Sequence, residues 1–275
     1  MEKKFLYLSK QKLIKRQNEP LSNVIPGVIL VFSCNKYLET RLKEFKLSKK
    51  NYSGWKVFIV IGNPLLETEY IINDNMITIK CEDSYIHLTK KVVMAFKIIG
   101  QLYTITEGIL RCGDDLVFNE TKLNDFLNKK DKTNYMGVIA CRNKKIQKVS
   151  EMFMVDYFNK NPNDLLEKLN GINYTLEEMQ QFNEIPKCNY AGGVVVYYSK
   201  LSCHLLINHL ESINWDVFTK DVQFGYPYII EDIGLGFILN NKNIYPTSYN
   251  LYSNNSIDKD TLHTETFAFH TNKYK

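Results

Sequence analysis

The stretch PGVILVFS, residues 26–33, is a continuous apolar run rich in β-branched side chains and opened by Pro-Gly. WKVFIVIG (55–62) repeats the pattern and ends in Gly-Asn-Pro, and MITIK (76–80) is a shorter third case. Runs without polar alternation suit strands buried on both faces, as in a parallel sheet. Between the first two lies YLETRLKEFKLSKK (37–50), where Leu38, Leu42 and Phe45 among charged residues predict an amphipathic helix. Strand, helix and strand in this order predict a Rossmann-like α/β half.

Further along, Val92, Val93, Phe96, Ile99, Leu102 and Tyr103 recur at three- and four-residue spacings, which predicts a long helix from about His87 to Thr106. GILRC (108–112) reads as a strand that stops at Gly113-Asp114-Asp115, and Asn119 suits the cap of a helix through KLNDFLNKK. NYMGVIAC (134–141) is another strand, and residues 142–187 are polar, Asn-rich and weakly periodic. CNYAGGVVVYYS (188–199) is apolar and Gly-bearing, and the helix KLSCHLLINHLE follows it. EDIGLGFILNNKN (231–243) reads as a short helix opening on two carboxylates, and FAFH (267–270) alternates as an edge strand would. With no internal repeat and no clear linker, one domain over residues 1–275 is expected, with 1–24 as a polar lead-in.

The bulk properties narrow the class. The chain has 275 residues, 44% hydrophobic and 24% charged, an ordinary globular balance that excludes extensive disorder and a collagen-like repeat. Lys and Arg total 35 against 30 acidic residues, a net charge of +5 with no block of five basic residues, which argues against a nucleic-acid binder. Arg occurs at Arg16, Arg41, Arg111 and Arg142, and Arg is the better bidentate partner for phosphate or carboxylate. No segment reaches the roughly 18 consecutive apolar residues of a membrane span. The N-terminus MEKKFLYLSKQKLIKRQNEP lacks the apolar core of a secretory signal, so a soluble, cytoplasmic protein is expected. The cysteines (Cys34, Cys81, Cys112, Cys141, Cys188 and Cys203) show no CxxC pair and no zinc spacing, which favours reduced structural thiols. N-x-S/T triplets begin at Asn51, Asn119, Asn173 and Asn254, as chance provides in an Asn-rich chain. The Lys-, Asn- and Ile-heavy composition suits an AT-rich viral or microbial genome.

Several segments can carry chemistry. In RCGDDLVFN (111–119) paired carboxylates follow a buried strand, at the sheet edge where open α/β folds bind ligands. Hard carboxylate oxygens suit Mg²⁺ or Mn²⁺, and the plainer reading is a turn that ends a strand. In YIIEDIGLGFIL (228–239), Glu231 and Asp232 are either first-turn acids complementing a helix dipole or a general base on a rigid helix end. In CEDSYIHLTKKVV (81–93), Asp83 or Ser84 suits a helix cap, while a Cys81–His87 metal pair lacks further ligands nearby. In NYAGGVVVYYS (189–199), Gly192-Gly193 allows a ligand close to the backbone or marks a β-bulge. His270 alone is more simply a solvated residue than a ligand.

Taken as an ordered set, these segments resemble the β-1,3-glycosyltransferases of glycosyltransferase family 31, which include Fringe relatives. The resemblance covers roughly residues 26–246. Asp83, Ser84, Tyr85, Leu88, Thr89 and Lys91 match the family block D-S-Y-x-N-L-T-x-K, with His87 where Asn is usual. Asp114, Asp115 and Asn119 match D-D-D-V-F-V-N, with Gly113 in place of the first Asp. Tyr190 through Ser199 look like Y-x-S-G-x-G-Y-x-x-S, and Glu231, Asp232, Ile233 and Gly236 match E-D-V-x-x-G.

The resemblance implies a GT-A fold: a mostly parallel central sheet flanked by helices, with a nucleotide-sugar half over 26–141 and an acceptor half over 142–275. It implies a metal-dependent inverting glycosyltransferase that joins the sugar of a UDP-sugar to a hydroxyl of a glycan or glycoconjugate through a β-1,3 linkage. The cofactor implied is Mn²⁺ or Mg²⁺. Asp115 is the metal ligand it implies, with Asp114 near the donor ribose or sugar and at the metal, and His270 as a second ligand. Asp232 would be the base, with Glu231 beside it. Ser33, Arg41, Asp83, Tyr85, Lys91, Gly192 and Gly193 would line the donor site, Asp83 near the uridine. Two other classes stay open: an inactive carbohydrate-binding relative, and a metal-dependent nucleotidyltransferase. The latter needs a Gly-rich phosphate loop or a basic triphosphate cluster, and neither is found.

Overall fold

The structure is a computed structural model, and it describes residues 24–45, 47, 52–83, 87–141, 188–211, 231–253 and 266–270. The apolar runs form the centre of a sheet. Strands β1 (Val24–Phe32), β2 (Lys56–Gly62), β4 (Met76–Ile79) and β5 (Thr104–Gly113) pair in parallel, while β3 (Tyr70–Asn73) closes one edge antiparallel to β4. On the other side β8 (Asn189–Ser199) runs antiparallel to β5 and to β7 (Tyr135–Cys141), and β9 (Thr247–Ser248) runs parallel to β7. The eight strands lie in the order β3-β4-β2-β1-β5-β8-β7-β9. This is the mostly parallel α/β sheet that the runs predict. It draws β8 and β9, from the second half of the chain, against strands of the first.

Alternation along the strands sorts the core into two layers. Val28, Leu30, Phe32 and Ile109 face helices α2 (Leu88–Leu102), α4 (Lys200–Glu211) and α5 (Glu231–Asn240). Ile29, Val31, Leu110 and Cys112 face α3 (Glu120–Asn128) and a small sheet of β6 (Leu116–Phe118), β10 (Tyr252–Ser253) and β11 (Ala268–His270). Gly27 is required where β1 meets its neighbours: a Cβ there would lie 2.3 Å from the Gly108 carbonyl oxygen and 2.4 Å from the Trp55 ring.

Four local expectations need correction. Residues 37–50 do not form one long amphipathic helix: a 3₁₀ turn over Asn35–Tyr37 leads to a single turn, α1 (Arg41–Glu44), and Phe45 is already extended. The helix α2 ends at Leu102, because Tyr103 turns extended and β5 starts at Thr104, four residues before GILRC. Asp83 does not cap α2; His87 occupies the N-cap without a side-chain bond, and Ser84 lies outside the described residues. FAFH is no edge strand either, since β11 is the central strand of the small sheet, parallel to β10 and antiparallel to β6. The Asn119 cap is present, with its side-chain oxygen accepting from the Lys122 amide at 3.1 Å.

Residues 142–187 lie outside the described residues. Among the described residues Cys34, Cys81, Cys112, Cys188 and Cys203 form no disulfide, and burial pushes Cys81 and Cys112 up to about 12, as inert packing cysteines require. No helix among the described residues is long and apolar enough to cross a membrane.

Candidate functional site

Parallel strands end on one edge of the sheet, and the polar segments after β1, β4 and β5 gather there. Ser33 follows β1, and its buried hydroxyl donates to Asp114 Oδ2 at 2.6 Å. Arg41 Nη1 lies 3.6 Å from Asp114 Oδ1, with its guanidinium 3.8 Å from the centre of the Tyr37 ring. Asp114 is therefore held by a hydroxyl and a guanidinium, an arrangement that fixes a carboxylate at a strand end.

Beside it, Lys91 reaches out of α2. Its buried ammonium lies 2.5 Å from Asp83 Oδ1 and donates to the Ser33 carbonyl oxygen at 2.8 Å. Asp83 Oδ2 accepts from the Asn35 amide at 2.5 Å. The ammonium thus ties the ends of β1 and β4 together. Gly62 allows this approach: a Cβ there would sit 2.8 Å from the Cys81 carbonyl oxygen and 3.0 Å from Asp83 Oδ1. Tyr85 lies outside the described residues.

Asp115 turns the other way. Antiparallel pairing of β11 with β6 sets His270 opposite Leu116, and His270 Nδ1 lies 3.6 Å from Asp115 Oδ2. A carboxylate and an imidazole, both partly exposed, form a mixed oxygen–nitrogen pair that fits Mn²⁺ better than the all-oxygen shell Mg²⁺ prefers. Among the described residues no group of three His, Cys, Asp or Glu forms that could hold a metal.

A second acidic site forms where α5 meets β8. Glu231 is buried, with Oε2 at 3.0 Å from Arg111 Nη2, and burial pushes its carboxyl up to about 7 against the pull of Arg111. Asp232 is half-buried: Oδ2 accepts from the Gly193 amide at 3.2 Å and Oδ1 from the Ile233 amide at 2.9 Å. Burial raises its proton affinity also, while the Gly193 amide and Arg111 pull it down. The Gly193 amide is thus engaged by a carboxylate of this chain. At Gly193 a Cβ would come within 2.9 Å of Glu231 Oε2 and 3.3 Å of Asp232 Cβ, whereas at Gly192 it would meet nothing closer than 3.7 Å. The β-bulge reading of this pair also holds, for the register of β7 against β8 shifts between Gly137 and Ile139. Bulges favour such places because they re-aim the strand.

Tyr252 joins the two acidic sites. Its ring meets His270 edge-on at 5.9 Å, its hydroxyl lies 3.7 Å from where a Gly192 Cβ would be, and burial and the Asp232 charge raise its proton affinity. Tyr252 and Arg111 are the residues that the motifs miss. Arg111 has a signal in the sequence, since of the four arginines it is the one just before the Asp-Asp pair, whereas Tyr252 sits in a two-residue strand with no sequence pattern.

No family model matches the chain, and no curated protein matches it either. Among solved structures, the apo form of the bifunctional glycosyltransferase WbbM is similar at 13% identity and a TM-score of 0.35, covering 92% of this chain. The chain spans 46% of that protein's length. A likeness this distant carries no argument about activity, which has to come from the site.

Proposed function

We propose that this chain is a metal-dependent inverting glycosyltransferase. It would move a sugar from a UDP-sugar to a hydroxyl of a glycan or glycoconjugate, forming a β-1,3 linkage. The observation that carries the reading is the pairing of two unlike carboxylate sites on one sheet edge, joined through Tyr252. One carries Arg41 and Lys91, each paired with an aspartate, beside the Ser33 hydroxyl, and on this reading faces the nucleoside diphosphate. The other is desolvated and suits a base. The ordered motifs supply the UDP donor and the linkage.

On this reading Ser33, Arg41, Asp83, Lys91 and Asp114 form the donor floor, Asp83 toward the uridine and Asp114 toward the ribose or sugar. Asp115 and His270 would hold a divalent cation. When bound, that cation supplies positive charge that stabilises the departing diphosphate. Asp232 takes the proton of the acceptor hydroxyl as its oxygen attacks the anomeric carbon from the face opposite the diphosphate. The bond from that carbon to the phosphate oxygen breaks, and UDP leaves with the electron pair. Gly192 would face the reacting sugar beside the Tyr252 hydroxyl.

The test is UDP release across a panel of UDP-sugars with Mn²⁺, comparing the wild type with Asp115→Ala and His270→Ala. Release from at least one donor is expected, with roughly a hundredfold loss in Asp115→Ala and a smaller loss in His270→Ala that added Mn²⁺ recovers. No release from any donor, together with no donor binding by calorimetry, sinks the reading.

A further inference from the structure

Arg111 lies three residues before Asp114 on β5, and Ile109 on the same strand face packs in the layer that holds α5. It is a buried guanidinium paired with an equally buried carboxylate, Glu231, at 3.0 Å. Burying two ions costs several kcal/mol each, and an apolar pair of similar volume often does as well, so stability alone does not explain the pair. The surroundings are also unsaturated: Arg111 Nε, Glu231 Oε1 and the Tyr198 hydroxyl are buried without a hydrogen-bond partner among the described residues. Clustered buried groups of this kind call for a reason other than packing.

The reason lies one residue on. Glu231 opens α5, so whatever fixes its side chain fixes the first turn from which Asp232 projects. The groups that act on the two carboxyls come from every side: Arg111 on β5, the Gly193 amide and Tyr198 on β8, Tyr135 on β7, and Tyr252 on β10. Arg111 is the cation among them, and it is close enough to Gly193 that a Cβ there would stand 3.5 Å from Nη1.

We propose that Arg111 is a positioning residue, which by pinning Glu231 fixes the first turn of α5 and keeps Asp232 a carboxylate aimed at the Gly193 amide. The inference rests on the assignment of Asp232 as the base. Without the guanidinium both carboxyls keep their protons to higher pH, and a protonated Asp232 cannot accept one from a hydroxyl. Arg111→Lys keeps a charge in place, whereas Arg111→Met removes it.

The test is the pH–rate profile of the full chain, with ¹³C-carboxyl NMR titration of Asp232 as a readout that needs no activity. Arg111→Met is expected to lose kcat at every pH, as the helix start loosens, and to lose roughly tenfold more at pH 6 than at pH 9, because its acid limb moves up. Arg111→Lys keeps the wild-type limb, and KM for the donor is unchanged in both. A uniform loss across pH, or no loss, overturns the proposal. Should Arg111→Met fail to fold, the double variant Arg111→Met, Glu231→Gln buries no unpaired charge, and the same upward limb is expected. If the wild type transfers no sugar, the base assignment fails while the NMR still decides about Arg111. An Asp232 resonance that moves up in Arg111→Met but not in Arg111→Lys supports it, and one that titrates with the wild type overturns it.

Discussion

Replacing Gly193 by Ala adds one carbon at the most crowded point between β8 and α5. That carbon would lie 2.9 Å from Glu231 Oε2, 3.3 Å from Asp232 Cβ and 3.5 Å from Arg111 Nη1. An ordinary contact needs about half an ångström more than the first of these distances. Glu231 cannot give way freely, because the same Oε2 is held at 3.0 Å by Arg111. The strain must be relieved by moving the start of α5. Overpacking of this size costs about 1–3 kcal/mol, which is roughly 3–8 °C in Tm for a chain of this length. Moving Asp232 by a fraction of an ångström to an ångström costs up to about 100-fold in kcat, with little change in donor KM. Gly192→Ala is the internal control: on the same strand its Cβ meets nothing nearer than 3.7 Å, so Tm should hold within about 2 °C. Differential scanning fluorimetry and donor-saturated UDP release on the two variants make the comparison. Equal losses of Tm in the two, or full activity in Gly193→Ala, would refute the claim that the helix start positions Asp232.

Other expectations are shorter. Lys91→Met strips the cation from the half-buried Asp83 and should lower stability by about 3 kcal/mol at most, with Asp83→Asn on top restoring part of it in a double-mutant cycle read by urea denaturation. Glu231 holds its proton to about pH 7 when folded against 4.5 ordinarily, so its contribution is full below pH 4.5 and fades as pH rises through 7. The wild-type Tm should therefore fall relative to Glu231→Gln across that window; a constant difference between the two curves would count against it. Gly113→Asp restores the family motif yet sets a Cβ 2.8 Å from Asp115 Oδ1, so it should raise the Mn²⁺ concentration needed for half-maximal UDP release. A lower requirement would mean that the glycine is simply a lost ligand.

What the sequence yields and what it hides follow from the range of the forces involved. The strands of the parallel sheet are legible because burial on both faces leaves unbroken apolar runs such as residues 26–33. The Asp-Asp pair and Glu231-Asp232 are legible because strand ends and helix starts are local events. The helix expected after β1 fails because tertiary demands win there: Asn35 is drawn to Asp83 and Arg41 to Asp114, which leaves room for only one helical turn. The cap role of Asp83 gives way to the Lys91 ammonium for the same reason. Tyr252 has no signal in the sequence, and the Asp115–His270 meeting is implied there only by the family resemblance, since both depend on a three-residue strand, β11, finding β6 about 150 residues away.

The two sites are coupled by one rigid element. Strand β5 aims Arg111 toward α5, sends Cys112 to the opposite layer, and then releases Asp114 and Asp115 at its end. The distance between Arg111 and the Asp114–Asp115 pair is thus set by the last residues of β5, Arg111 to Gly113, of which Arg111 and Cys112 pair on both sides. A site built on such a strand holds its geometry better than one built on loops. The antiparallel β8 repeats the arrangement from the other side, since Val195 pairs with Cys112 and Gly193 lies two residues further toward the same edge. On the proposed reading, Asp232, Arg111 and the Asp114–Asp115 pair therefore share one frame, and a change on β5 at Arg111 or Gly113 should register at both sites.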